Sequence, residues 1–135
     1  MESKHLKVLG FGCPERLGDA EFVTQFLKDA VERVGMRPLG EPMVHDVALD
    51  VEKLGQELFE DEGGVTCQIV GYHTLSTSHL AIHTWPLRKE FHFDLYSCRL
   101  FDAEDLIQFI SERFHVTQIQ VSDLTSHCEW QSSTN

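Results

Sequence analysis

From Phe91 to Cys98 apolar and polar residues alternate without a break, Phe91, Phe93 and Leu95 falling on one side and His92, Asp94, Tyr96 and Cys98 on the other. A period of two belongs to an extended strand with one buried face, because successive side chains leave the pleated backbone in opposite directions. A chain built around such a strand needs a sheet whose apolar side alone is covered. Ser78–Trp85 reads as a neighbouring strand and Val65–Thr74 as another. His5–Cys13 predicts a strand that runs into a turn at Gly10, Gly12 and Pro14. Glu41–Leu49 predicts a further strand despite Pro42, and Thr117–Leu124 the last.

Two helices supply the cover. Asp19 is placed to cap the first, in which Phe22, Phe26, Ala30 and Val34 recur at every fourth residue with Val23, Leu27 and Val31 beside them. Gly35 ends that helix and Pro38 closes it off. Asp102 caps the second, whose buried stripe is Leu106, Ile107, Ile110 and Phe114. The order of elements implies an α+β fold: a two-layer sandwich of a mainly antiparallel sheet with two helices on one face. The acidic segment Asp50–Gly64 reads equally well as a short helix on Leu54, Leu58 and Phe59 or as a solvated loop, and the tail from Gln131 to Asn135 as a frayed end. A chain of 135 residues is expected to form one domain over 1–135, with a core that needs no staples.

The formal charge of −11 argues against nucleic acid as a partner, since phosphates demand a basic face. It suits solubility, and it would also draw in a cationic ligand. No apolar run is long enough to span a bilayer and the start of the chain lacks a secretory cleavage site, so no membrane association and a cytoplasmic location are expected. Cys13, Cys67, Cys98 and Cys128 form no CxxC pair, which speaks against a disulfide framework.

Three features could carry chemistry. Ser78 follows Leu75-Ser76-Thr77 in a Ser/Thr-rich approach, His83 lies in a compact His-Thr-Trp-Pro turn, and Cys98 closes a strand whose polar face already holds a histidine and a carboxylate. By residue type alone each is explained as well by a turn or by packing. A metal site from His73, His79, His83 and His92 lacks a carboxylate or cysteine at ligand spacing, so no metal is expected.

The run Ser78-His79-Leu80-Ala81-Ile82-His83-Thr84-Trp85-Pro86, followed by Phe93-Asp94-Leu95-Tyr96-Ser97-Cys98, resembles the S-adenosylmethionine decarboxylase family of the short bacterial and archaeal, pyruvoyl-dependent type. That family's run reads approximately E-S-H-x-x-I-H-T-W-P-E, then D-[IL]-[FY]-[ST]-C, with the same separations between serine, histidine and cysteine. Phe11-Gly12-Cys13 echoes an aromatic-Gly-Cys triplet of the family and suggests a substrate-binding place for Phe11.

The resemblance implies that Ser78 attacks the Thr77 carbonyl and that the chain splits into residues 1–77 and 78–135, leaving a pyruvoyl group at position 78. His83 matches the residue that handles protons during this processing. The pyruvoyl ketone would form a Schiff base with the substrate amine and act as an electron sink, and Cys98 matches the acid that reprotonates the carbon left by carbon dioxide. The implied function is decarboxylation of S-adenosylmethionine for spermidine synthesis, in a homodimer. The alternatives are a related decarboxylase of another amino acid, of ornithine or arginine type, and an unprocessed, non-catalytic relative.

The sequence departs from the family at four places. Thr77 stands where members have glutamate, and Leu87 where a glutamate holds the ribose hydroxyls of the substrate. Losing such a charge-assisted bond costs roughly 1.5–3 kcal/mol, or about ten- to a hundredfold in affinity. Leu9 and Gly10 replace an acidic residue of the first strand, and Gly64-Val65-Thr66 resembles, at a shifted distance, a Gly-Val-Ser segment that assists cleavage.

Overall fold

The computed structural model describes residues 2–47 and 67–127. Along the chain lie β1 (Glu2–Phe11), α1 (Pro14–Leu17), α2 (Ala20–Arg33), β2 (Met43–Asp46), β3 (Ile69–Thr74), β4 (Ser78–Trp85), a 3-10 turn (Pro86–Arg88), β5 (Glu90–Ser97), α3 (Ala103–Phe114) and β6 (Gln118–His127). Among the described residues the strands form one six-stranded sheet in the order β2-β3-β4-β5-β1-β6, and every pairing is antiparallel. The α+β sandwich expected from the pattern is therefore the fold, with the single turn α1 as an extra helix. Leu49, the Asp50–Gly64 segment, Val65, Thr66, Cys128 and the tail from Gln131 lie outside the described residues.

The expected caps close the helices. Asp19 Oδ1 accepts from the amides of Glu21 and Phe22 at 3.0 and 3.2 Å, and Asp102 Oδ1 from that of Asp105 at 3.1 Å, satisfying donors that a helix start leaves unpaired. Behind α2, Gly35 adopts φ +70, a conformation that a side chain would strain. Pro14 opens α1 at its first helical position, where its missing N–H costs nothing.

The core lies between the helices and one sheet face, where Leu6, Val8, Leu80, Ile82, Phe91 and Phe93 meet Val23, Phe26, Leu27, Leu106, Ile110 and Phe114. The stripe on α3 differs from the expected one. Phe109 is buried, and its ring stacks on Phe26 at 5.6 Å, while Ile107 only borders the core.

Among the described residues no helix packs on the opposite sheet face, and cross-strand register arranges its side chains in rows. One row runs His45, Val70, His83, His92, Leu9, Gln120; another runs Thr74, His79, Tyr96, His5, Leu124. In β5 the buried and half-buried residues alternate as the sequence pattern requires.

Candidate active site

Thr77 lies in the turn that joins β3 to β4, where the Leu75 amide bonds to the Ser78 carbonyl at 2.9 Å. A second anchor holds this turn from outside, the Ser76 amide donating to the Arg37 carbonyl at 3.0 Å. Ser78 is the first residue of β4 and pairs directly with Ser97, the last of β5. The Ser78 hydroxyl donates to Ser97 Oγ at 2.9 Å, with Thr77 Oγ1 3.3 Å from it on another side. Ser97 Oγ also accepts from the Arg99 amide at 2.9 Å. That bond bends the chain at the end of β5, a local closure typical of serine. The bend directs the Cys98 amide at the Thr77 carbonyl, 3.2 Å away. The Thr77–Ser78 peptide thus has its carbonyl polarised by one donor and the adjacent hydroxyl held by one acceptor.

The Cys98 side chain belongs to the uncovered side of the sheet. Its Sγ lies 3.8 Å from the Tyr96 hydroxyl, and the hydrogen bond to this thiol is the main cause holding that phenol above its usual range. The Tyr96 ring stacks on His79, its cross-strand neighbour, at 5.6 Å and meets His5 edge-on at 6.2 Å. His5 Nε2 in turn lies 3.5 Å from Asp94 Oδ1. Ser97, Tyr96 and His79 are therefore neighbours of the expected site that sequence reasoning did not single out. The alternation of β5 carried a signal for Tyr96, two residues before Cys98 on the same face. Ser97 gave none, because its importance comes from strand register.

His83 is not in a turn. It sits inside β4, between Val70 and His92, and the turn begins only at Pro86. Strand parity also sets it apart from Ser78: an odd separation of five residues puts the two on opposite faces, roughly 16 Å apart at about 3.3 Å per residue. His83 instead neighbours Cys67 Sγ, 3.8 Å from its Nδ1, and Trp85, whose ring is 6.3 Å away and packs on His92 at 4.6 Å. Leu87, in the 3-10 turn, is 97% exposed. Phe11 ends β1 on the uncovered face, lining a shallow cleft of about 350 Å³ with Leu9, Glu90, His92 and Gln118.

Of the histidines weighed as metal ligands, His73 faces the helices and is buried, whereas His79, His83 and His92 face the open side. Among the described residues no group of three His, Cys, Asp or Glu stands close enough to hold a metal ion. No helix there is long and apolar enough to cross a membrane.

The model of the S-adenosylmethionine decarboxylase family matches residues 4–127. An S-adenosylmethionine decarboxylase proenzyme from Pyrococcus furiosus is 31% identical over 67 residues, 49% of this chain and 48% of that one. The proenzyme of Pyrococcus abyssi is 25% identical over 96% of this chain and 82% of its own, and that of Clostridium botulinum 23% identical over 89% and 90%. The crystal structure of the adenosylmethionine decarboxylase from Aquifex aeolicus superimposes with a TM-score of 0.70 at 16% identity, covering 98% of this chain and 97% of that one, which is a likeness of fold.

Proposed function

This chain belongs to the S-adenosylmethionine decarboxylase family, and from that premise we propose that it cleaves itself between Thr77 and Ser78 and then decarboxylates S-adenosylmethionine. The observation that carries the proposal is the double hold on one peptide: Cys98 N–H on the Thr77 carbonyl and Ser97 on the Ser78 hydroxyl. A hydroxyl beside its own upstream carbonyl can close onto it and exchange the peptide bond for an ester. A donor already aimed at the carbonyl oxygen stabilises the charge that develops there. Residues 1–77 and 78–135 are the products, and Ser78 fits as precursor of the pyruvoyl group that the family uses.

When formed, that group supplies the electron sink that loss of carbon dioxide from an amino acid needs. The chain's own part is to bind, orient and move protons. Cys98, on the uncovered face but joined through its backbone to the Thr77 carbonyl, gives its thiol proton to the carbon that carbon dioxide leaves. A thiol can serve as a general acid towards carbon. Tyr96 lies against that thiol, and His79 holds the Tyr96 ring. His83 is assigned the proton handling that follows the ester, since its distance from Ser78 in the uncut chain leaves it no part in the first attack. Phe11 and the cleft around it offer an apolar wall to the substrate at the other end of the open face. That face, rich in polar side chains, is where a second copy docks to make the homodimer, and the cytoplasm is where such an enzyme works.

Leu87 favours a second reading. A substrate without ribose, such as ornithine or arginine, has no use for a carboxylate at this position, and the leucine that stands there faces solvent. Intact mass of the purified protein tests the proposal: two fragments divided after Thr77, the second beginning with a pyruvoyl group, are expected. A single uncut chain after long incubation refutes it and leaves a non-catalytic relative. Carbon dioxide release from S-adenosylmethionine against ornithine and arginine then separates the two substrates.

A further inference from the structure

We infer that Ser97 is the residue that readies Ser78 for self-cleavage, taking up the proton of the Ser78 hydroxyl as it attacks; this rests on the self-processing reading above. Three observations lead there. Ser97 is fully buried at the end of a strand flanked by Lys4 on β1 and Ser78 on β4, so its side chain has little room to reorient. Its oxygen accepts two bonds, from Ser78 Oγ and from the Arg99 amide, each at 2.9 Å, and its own hydrogen remains to be given. Among the described residues Ser78 Oγ has no other side-chain partner than Thr77 Oγ1, a hydroxyl that stands where the family carries a carboxylate.

The backbone ties this residue to the electrophile as well. Cys98, the next residue, donates its amide to the carbonyl under attack, so the segment 97–99 holds both reacting groups at once. In the step itself Ser78 Oγ bonds to the Thr77 carbonyl carbon while its proton crosses to Ser97 Oγ. Ser97 gives up its own hydrogen, which ends on the Ser78 nitrogen as the carbon–nitrogen bond breaks. Ester and amine together contain the atoms of the original peptide, and no co-reactant is consumed. Positioning and proton relay of this kind contribute on the order of a hundredfold.

The test follows cleavage of freshly made protein by intact mass, for the wild type and for Ser97→Ala and Ser97→Thr, with thermal melting as a check on the fold. Ser97→Ala should cleave about a hundredfold more slowly, and Ser97→Thr, which keeps the hydroxyl, should recover most of the rate. Hydroxylamine cuts esters but not peptides, so it should not hasten cleavage of Ser97→Ala if the block precedes the ester. The inference is overturned, with self-cleavage left standing, if Ser97→Ala cleaves at the wild-type rate or if hydroxylamine rescues it. It is equally overturned if the threonine variant melts normally yet is as slow as alanine. A wild type that never cleaves removes the self-processing reading, and this inference falls with it.

Discussion

The two faces of one sheet hold their polar groups in different ways. On the helix side the bonds are short and shared: Ser78 to Ser97 at 2.9 Å, Arg99 to Ser97 at 2.9 Å, and Thr84 Oγ1 to the Leu17 carbonyl at 2.8 Å. On the open side the contacts around the expected site are long: His5 to Asp94 at 3.5 Å, His92 to Glu90 at 3.5 Å, Tyr96 to Cys98 at 3.8 Å. Burial explains the contrast, because an unsatisfied polar group costs most where water cannot reach it. The serine proposed to cleave the chain lies on the tight side and can be held ready by the fold alone. The thiol proposed to protonate the substrate lies on the loose side with Tyr96 and His79 beside it, where substrate or a second copy would complete its surroundings.

Variants can pull the two faces apart. The largest effect is expected from Ser78→Ala, which should abolish cleavage at any incubation time by intact mass; a residual cut after Thr77 would take the hydroxyl out of the chemistry. Cys98→Ala should cleave normally, because its amide remains, yet lose on the order of 10²–10⁴ in carbon dioxide release. A variant that also failed to cleave would show that the faces do not work independently. Leu87→Glu should tighten S-adenosylmethionine by roughly ten- to a hundredfold in calorimetry while leaving cleavage unchanged. An affinity that does not move would favour a substrate without ribose.

The smallest effect concerns the exception on the tight side. His73 is buried, its Nδ1 without a partner among the described residues, and burial pushes its pKa below the ordinary 6.5, against the opposing pull of Glu41 and with some help from Lys28. Below about pH 6.5 the unfolded chain takes a proton that the folded one refuses. This contribution to stability is therefore complete above pH 6.5 and is lost as pH falls towards the folded pKa. Melting temperatures measured from pH 7 to 5 should drop less for His73→Leu than for the wild type; parallel curves would show that His73 is not the group responsible.

What could be read in the sequence was what depends on neighbours along the chain. Alternation placed Phe91, Phe93 and Leu95 in the core, and the caps at Asp19 and Asp102 were visible because capping needs only a short side chain and the next few amides. Phe109 was missed because its burial depends on Phe26, which comes from another helix. The fault at His83 was to let Pro86 pull a strand residue into the turn. Ser97 was out of reach for a deeper reason: its meeting with Ser78 is decided by how β4 and β5 align, and no local pattern records that register.

The same alignment bears on what a nick after Thr77 would do. Residues before it contribute β1, β2 and β3, those after it β4, β5 and β6, and the sheet order interleaves the two sets. Three of the five strand pairings, β3 with β4, β5 with β1 and β1 with β6, join one piece to the other. Neither piece could leave without unzipping ladders on both sides of β1, so the covalent link at position 77 is redundant for holding the folded molecule together. The bond beside Ser78 is one that this fold can give up and still remain whole.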